Sequence, residues 1–202
     1  MLQHRANISG VILAGGKSAR MGTDKALLKV GPYTLIETIA GVFRTLVDEI
    51  LVVTGRPEKF ARYGDKAVRD ILPGHGPLGG IHAGLVQAVH SRVLVAACDM
   101  PFISAPLARF MIELPGDYDV VVPRYRGYAE PLCAIYGKGC IEVIEQRLTR
   151  GQNKITGFYE QVRVRYVEEE EMFQVEPHLE RVFLNLNTPG DLKKARSLGG
   201  WY

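Results

Sequence analysis

Apolar, β-branched runs alternate with amphipathic stretches along most of the chain. Each apolar run is short and ends near a glycine or a polar residue, as strands buried in a sheet do. The amphipathic stretches carry apolar residues at three- and four-residue spacings, which is the pattern of one helix face. The pattern predicts strands over 8–14, 50–55, 67–72, 92–98, 119–123 and 131–136, and helices over 33–50, 79–90 and 104–114.

This alternation of strands and helices predicts an α/β fold. Strands that are apolar along nearly their whole length must be covered on both faces, so we expect a three-layer α/β/α sandwich around a mostly parallel sheet. The chain has 202 residues and contains no evident linker, internal repeat or low-complexity tract. That length and continuity suit a single domain.

Charge and cysteine content exclude several classes of protein. Lysine and arginine number 25 and aspartate and glutamate 22, and this net charge of +3 is too small to imply a nucleic-acid partner. No apolar run has the length of a membrane span or of a signal-peptide core. The cysteines are odd in number and widely spaced, which is typical of reduced thiols: Cys98, Cys133 and Cys140. We therefore expect a soluble cytoplasmic protein with no membrane partner.

Candidate chemistry follows three of the predicted strands. In α/β sheets, ligands bind beyond the carboxyl ends of the strands. The first strand ends at Ala14-Gly15-Gly16, the third contains Asp70 and leads into the loop over 73–80, and the fourth ends just before Asp99. We expect all three groups at one edge of the sheet.

A cationic segment follows the first glycine pair, and its composition points to phosphate. Its cations are Lys17, Arg20, Lys25 and Lys29. A Walker A loop is excluded because its first glycine would fall at Val11, and the dinucleotide spacing G-x-G-x-x-G is also absent. Adjacent glycines still let backbone N–H groups approach a phosphate, and the cations can neutralise it. The alternative is an ordinary strand-to-helix turn with solvated basic residues.

The order of residues in the stretch "LAGGKSARMGTDKALL" (13–28) is more informative than its glycines and cations alone. It resembles the signature L-A-G-G-x-S-x-R-M-G-x-D-K of nucleotidyltransferases with a glycosyltransferase-A-like fold, and within them the MobA-type molybdenum cofactor guanylyltransferases. The resemblance continues, in the family's order, at "GPLGGIHAGL" (76–85), "ACDMPF" (97–102), "EPLCAIY" (130–136) and "NLNTPGDL" (185–192). One departure is Gly79, where relatives often have alanine.

The resemblance implies a fold and a reaction. The fold is the Rossmann-like one of nucleotide-diphospho-sugar transferases, in one domain over 1–202, with nucleotide bound by about 1–100 and acceptor by about 101–202. The reaction joins GMP from GTP to molybdenum-bearing molybdopterin and releases pyrophosphate, with Mg²⁺ as cofactor. No protein nucleophile is required, so catalysis consists of positioning and charge neutralisation.

The resemblance also implies which residues do this work. The nucleotide-binding residues are Leu13, Ala14, Gly15, Gly16, Lys25, Asp70, Gly76, Pro77, Leu78, Asp99 and Asn187. Arg20, Lys25 and Asp99 are the catalytic candidates, and Asp99 is also the Mg²⁺ ligand. From the residues alone, Asp99 is a metal ligand or a helix-capping aspartate, and Asp70 binds the base or sugar or merely ends a strand.

The remaining expectations concern the acceptor side and the alternatives. Acceptor contacts are predicted among Arg124, Arg126, Lys154 and Asn185, with Arg126 at a hairpin tip. The run 187–189 also fits a simple helix entry, with Thr188 as the cap and Pro189 at the first position. His75 and His82 lack partners at metal-ligand spacing, and we expect His82 to be packed. A related cytidylyl- or sugar-phosphate nucleotidyltransferase, or a catalytically silent nucleotide-binding protein, stays open. The chain is expected to be a monomer or weak oligomer, and the resemblance is compatible with partners that mature molybdoenzymes.

Overall fold

A mixed β-sheet lies at the centre of the computed structural model, which describes residues 7–15 and 24–198. Within those ranges eight strands join in the order β10-β7-β9-β6-β1-β4-β5, with β8 paired to β7, and two more form a hairpin. The strands are β1 (Ser9–Leu13), β2 (Lys29–Val30), β3 (Tyr33–Thr34), β4 (Glu49–Val53), β5 (Lys66–Val68), β6 (Arg92–Ala97), β7 (Val120–Tyr125), β8 (Tyr128–Ala129), β9 (Cys133–Gly137) and β10 (Val164–Val167).

Parallel pairing dominates the half of the sheet that contains β1. Strand β1 pairs in parallel with β4 and β6, and β4 pairs in parallel with β5. Strand β9 is inserted antiparallel between β6 and β7, and β10 runs parallel to β7. The expected mostly parallel sheet is confirmed, and β9 and the two-residue β8 are the strands that run opposite to their neighbours.

Helices cover both faces of this sheet. They are α1 (Leu35–Phe43), α2 (Pro57–Phe60), α3 (Gly76–Gln87), α4 (Ala105–Glu113), α5 (Ile141–Thr149), α6 (Glu169–Phe173), α7 (Leu179–Val182) and α8 (Pro189–Leu198). Short 3-10 helices are present as well, including Lys25–Leu27. No helix in the described part of the chain is long and apolar enough to cross a membrane.

Successive side chains of β1 point to opposite faces of the sheet, and each face belongs to a separate layer of the core. Ile12 packs with the α1 and α4 side, whereas Val11 packs with the α3 and α5 side. Two glycines bring the helices close to β1. A Cβ on Gly10 would lie 2.4 Å from the Phe43 ring of α1, and a Cβ on Gly84 of α3 would lie 2.6 Å from Val11. The three-layer sandwich is thereby confirmed.

Two predicted helices have different bounds in the structure. The helix predicted over 33–50 spans only Leu35–Phe43, because Thr34 and Glu37 form a capping box that starts it and the chain turns before β4. The helix predicted over 79–90 begins at Gly76, so the predicted loop over 73–80 ends sooner. Pro77 fits the first turn of α3 because that turn needs no N–H partner there.

Smaller features agree with the sequence pattern. The predicted hairpin is present, with Tyr125 and Tyr128 on either side of a two-residue turn. The turn residues Arg126 and Gly127 have φ of 52° and 79°. The helix entry at Pro189 is also confirmed. The three cysteines are buried free thiols. The predicted strand over 67–72 is Lys66–Val68, which leaves Asp70 beyond its carboxyl end.

Candidate active site

A cleft of about 470 Å³ lies at the carboxyl edge of β1, β4, β5 and β6. This is the edge at which α/β sheets bind ligands. Of the residues predicted from the sequence, the cleft is lined by Leu13, Ala14, Gly15, Lys25, Asp70, Gly76, Pro77, Asp99 and Asn187. The structure therefore brings together nearly all of the described candidates.

Among the described candidates for nucleotide binding, Leu78 is the one that does not line the cleft. Gly16 and Arg20 lie outside the residues that the structure describes. Leu78 is fully buried in the core layer of α3 and contributes packing beneath the cleft. Its side chain therefore supports the start of α3, whereas its neighbours Gly76 and Pro77 face the cavity.

Lys25, Asp99 and Asn187 form one polar cluster at one end of the cleft. The Lys25 ammonium donates to Asp99 Oδ2 at 2.9 Å and to Asn187 Oδ1 at 3.2 Å. The backbone N–H of Leu186 also donates to the Asp99 carbonyl at 2.9 Å, which ties the chain before α8 to the end of β6. A cation, a carboxylate and an amide are thus held together from three distant parts of the sequence.

The second oxygen of Asp99 fits a metal ligand. Asp99 Oδ1 is buried and has no hydrogen-bond partner among the described residues. Leaving a buried polar atom unpaired is costly, and Asp99 Oδ1 belongs to a residue of the cleft, where a ligand can pair with it. A carboxylate oxygen in that position fits Mg²⁺, which takes one or two carboxylates and fills its shell with phosphate oxygens and water. In the described ranges no cluster of three or more His, Cys, Asp or Glu side chains could hold a metal ion.

The turn after β1 leaves open space beside its glycine. The N–H of Ala14 donates to the Val53 carbonyl at 2.9 Å, and that of Cys98 donates to the Leu13 carbonyl at 3.1 Å, so neighbouring strands fix the turn. A Cβ built on Gly15 would meet no atom of the described residues within 4 Å. As far as those residues go, the space beside Gly15 is therefore an open part of the cleft.

Asp70 and Gly80 shape the other end of the cleft. Burial raises the pKa of Asp70 above its ordinary value. A Cβ built on Gly80 would lie 3.8 Å from Asp70 Oδ1 and only 3.0 Å from Leu13 Cδ2. Gly80 thus lets the start of α3 pack closely against Leu13, with Asp70 beside it in the cleft.

Several lining residues were not predicted from the sequence. They include Asp24, Thr54, Gly55, Gly80 and Leu132. Thr54 and Gly55 follow β4 directly, so the rule that picked out the ends of β1 and β6 would also have found them. Leu132 precedes β9, whose antiparallel direction the sequence did not reveal.

The acceptor-side candidates lie beyond the cleft lining. The Arg124 guanidinium is already paired with Glu168 at 2.9 Å and lies 3.9 Å from the centre of the Tyr166 ring. Lys154 is exposed and Asn185 is partly buried. None of the three lines the cavity. Their role with an acceptor stays a prediction.

The two histidines singled out from the sequence have protein partners. His82 is buried, with Nε2 2.8 Å from Glu145 Oε1 of α5, as a packed residue should be. His75 Nδ1 lies 2.8 Å from Asn153 Oδ1 and links the start of α3 to the chain after α5. Both histidines join structural elements.

Glu130 is an unusual carboxyl group in the turn before β9. Its backbone N–H donates to the Pro123 carbonyl at 2.9 Å, and its carbonyl accepts from Cys133 N–H at 3.0 Å. Burial raises the pKa of its side chain to about 7. The turn therefore holds a carboxyl group that is easiest to bury when protonated.

Glu130→Gln is expected to raise the melting temperature at pH 8 but not near pH 4. Below its ordinary pKa of 4.5 the carboxyl is protonated in both the folded and the unfolded chain. As the pH rises through about 7, the folded state must carry a buried charge and loses stability relative to the unfolded state. Removing that charge is worth at most about 3 kcal/mol, less after solvent screening, or a few degrees in Tm. Melting curves at both pH values test this.

The control for this experiment is Glu142→Gln, because Glu142 is exposed on α5. Its melting temperature should follow that of the parent protein at each pH. A Glu130→Gln protein that melts with the parent at pH 8 would contradict the assignment.

Comparisons with known proteins agree with this geometry. The model of the MobA-like NTP transferase domain family matches residues 10–166. The chain is 48% identical to a probable molybdenum cofactor guanylyltransferase of Pelotomaculum thermopropionicum, over 93% of this chain and 91% of that one. It is 42% identical to another of that name from Carboxydothermus hydrogenoformans, over 93% and 94%.

A solved structure shows the same architecture. It is that of the molybdopterin-guanine dinucleotide biosynthesis protein A from Archaeoglobus fulgidus, with a TM-score of 0.81 and 28% identity. The alignment covers 94% of this chain and 97% of the other. Sequence, fold and site geometry thus agree, and the chain belongs to the MobA-like NTP transferase family of nucleotidyltransferases.

Proposed function

We propose that this protein transfers GMP from GTP to molybdenum-bearing molybdopterin and releases pyrophosphate. The observation that carries the proposal is the cluster of Lys25, Asp99 and Asn187 at the carboxyl edge of the sheet. The names of relatives at 48% and 42% identity support guanylyl transfer to this acceptor. The three buried thiols suit a reducing compartment, and we place the reaction in the cytoplasm.

The bond changes follow from the substrates. An oxygen of the acceptor's terminal phosphate attacks the α-phosphorus of GTP, and the bond from that phosphorus to the β-phosphate bridging oxygen breaks. The electron pair leaves with pyrophosphate, so no protein nucleophile is needed. The protein's work is to align the two phosphates and to stabilise the negative charge between them.

Lys25 and Asp99 divide that work. The Lys25 ammonium is held in the cleft by Asp99 and Asn187, where it can donate to the triphosphate without a large rearrangement. Asp99 offers its buried, unpaired Oδ1 as the ligand for Mg²⁺. When bound, Mg²⁺ supplies positive charge to the phosphate oxygens and to the leaving group. Asn187 keeps the ammonium and the carboxylate in register.

The opposite end of the cleft is assigned to guanine. Gly15 and Gly76 leave space among the described residues, and Asp70 offers carboxylate oxygens on the same cleft wall. Guanine presents N–H donors along one edge, which carboxylate and backbone carbonyl oxygens accept. A pyrimidine would leave such groups unpaired, at a cost of about 1–3 kcal/mol each.

Among the nucleoside triphosphates, GTP alone is expected to give a dinucleotide product. The protein is incubated with Mg²⁺, molybdenum-loaded molybdopterin and each triphosphate in turn, and the products are identified by mass. In parallel, GTP should raise the melting temperature, since a ligand at about a hundred times its Kd adds about 2.7 kcal/mol. CTP at the same concentration should shift it little. A cytidine product, or an equal shift with CTP, would move the protein to the cytidylyl transferases.

A further inference from the structure

Asp24 lies in the cleft beside the catalytic lysine, with its side chain only 13% exposed. Two cations hold its carboxylate. Arg56, which precedes α2, donates to Oδ1, and Lys59 within α2 donates to Oδ2. The Asp24 carbonyl also accepts from Leu27 N–H at 2.9 Å, which starts the 3-10 helix Lys25–Leu27. The carboxylate is thus joined to α2 while its backbone begins the turn that carries Lys25.

The carboxylates of Asp24 and Asp99, the two aspartates beside Lys25, differ in how many of their oxygens have partners. Asp99 keeps one buried oxygen without a partner among the described residues, whereas both oxygens of Asp24 are bound by cations. A carboxylate with both oxygens occupied by protein cations is a poor metal ligand. Its negative charge is cancelled next to the place assigned to the triphosphate. Asp24 is therefore set apart from the metal-binding role of Asp99.

We propose that Asp24, Arg56 and Lys59 form a clamp that positions Lys25 and keeps the phosphate end of the cleft free of negative charge. The proposal rests on the proposed function, because it assigns the triphosphate to this end. Asp24 and Lys25 are consecutive residues. Because the Asp24 carboxylate is bonded to Arg56 and Lys59, the position of the Lys25 backbone in the cleft wall is fixed as well. Thr54, which lines the same wall, accepts from Arg56 N–H at 3.3 Å and joins the end of β4 to the clamp.

The cations of the clamp are exposed, whereas its carboxylate is mostly buried. Arg56 and Lys59 are 59% and 40% exposed, so each contributes little to the stability of the fold. Asp24 is mostly buried, and removing both cations leaves its charge uncompensated at the phosphate end. An unpaired charge costs more than the absence of the whole group. Losing the cations should therefore harm nucleotide use more than losing the carboxylate.

The test compares Asp24→Asn, the double variant Arg56→Ala with Lys59→Ala, and the triple variant that combines all three changes. The readouts are kcat and KM for GTP in guanylyl transfer, and the GTP-induced rise in melting temperature without acceptor. We expect Asp24→Asn to lower kcat/KM for GTP about tenfold, and the double variant to lower it further. The triple variant should recover toward the level of Asp24→Asn, because asparagine removes the unpaired charge.

The KM of the acceptor should stay within twofold of the parent value in each variant. Arg69→Ala is the matched control, since Arg69 is 68% exposed and pairs with Glu58 of α2 at 3.6 Å. That variant should bind and turn over GTP as the parent does.

Two results would overturn the clamp. One is a double variant that matches the parent protein in kcat/KM and in the GTP-induced shift. The other is a triple variant whose kcat/KM for GTP lies below that of the double variant, by the same factor by which Asp24→Asn alone lowers the parental value. That result would mean that the effect of Asp24 does not depend on Arg56 and Lys59. Should Asp24→Asn fail to fold, the double variant still decides the first point, because both cations are exposed. A parent protein that is stabilised by GTP but forms no dinucleotide would reject the proposed reaction and leave the clamp testable by melting.

Discussion

Replacing Asp99 by asparagine is expected to reduce guanylyl transfer by at least several hundredfold. Asparagine keeps the shape of the side chain, but it removes the charge that Mg²⁺ requires and that pairs with Lys25 at 2.9 Å. The loss of the Mg²⁺ ligand and the loss of the Lys25 ion pair both weaken stabilisation of the negative charge that develops on the α-phosphate. A single electrostatic contact of this kind contributes about 10²–10³-fold to turnover. Initial rates over a wide range of Mg²⁺ concentration measure the effect. Excess Mg²⁺ should rescue little, because an amide oxygen does not replace a carboxylate.

The control for Asp99 is the same change at Asp117, whose side chain is 89% exposed and pairs with Arg163. Asp117→Asn should retain parental rates. EDTA should inhibit the parent protein as strongly as the Asp99 substitution does. A parent protein that keeps full activity in EDTA would refute the role of Mg²⁺.

Lys25→Ala is expected to lower turnover by a factor of hundreds while the fold survives. The Lys25 side chain is 17% exposed, and its ammonium bonds to Asp99 and Asn187 in the cleft and not to a core residue, so the sheet and its helices should stay folded without it. The triphosphate loses a donor that is already held in place, and that loss acts mainly on kcat. Steady-state rates with GTP, together with a melting curve, separate catalysis from stability.

Lys29 provides the comparison for Lys25. It lies four residues further along the chain, on β2, and is exposed. Lys29→Ala should leave turnover within about twofold of the parent value, as expected for a surface substitution. Near-normal turnover in Lys25→Ala would remove Lys25 from the site.

The fold was predictable where local pattern and burial agree. Strands β1, β4 and β6 are fully or almost fully buried, so apart from the first residue of each strand their sequences are apolar or glycine. The elements after β9 were missed, apart from the entry into α8. Helices α6 and α7 have only five and four residues, too short for a periodicity to show.

The candidate site was predictable as far as strand ends and motifs define it. Asp70 and Asp99 were found because each follows a strand that ends at the same edge. The resemblance assigned Leu78 to the nucleotide together with Gly76 and Pro77, and the structure shows that the Leu78 side chain on α3 is buried in the core and does not line the cleft. The contacts of Asp24 with Arg56 and Lys59 span 32 and 35 residues. Such contacts depend on how β1, β4 and α2 pack, which a single sequence does not specify.

The polar cluster of the active site is complete only once Asn187 has been synthesised. A ribosome makes Lys25 and Asp99 well before it makes Leu186 and Asn187, yet the Leu186 N–H bonds to the Asp99 carbonyl and Asn187 bonds to Lys25. The growing chain can therefore form most of the sheet while its catalytic pair still lacks the amide. Emergence of the segment before α8 adds that amide, so the cluster of Lys25, Asp99 and Asn187 can form after the sheet has formed.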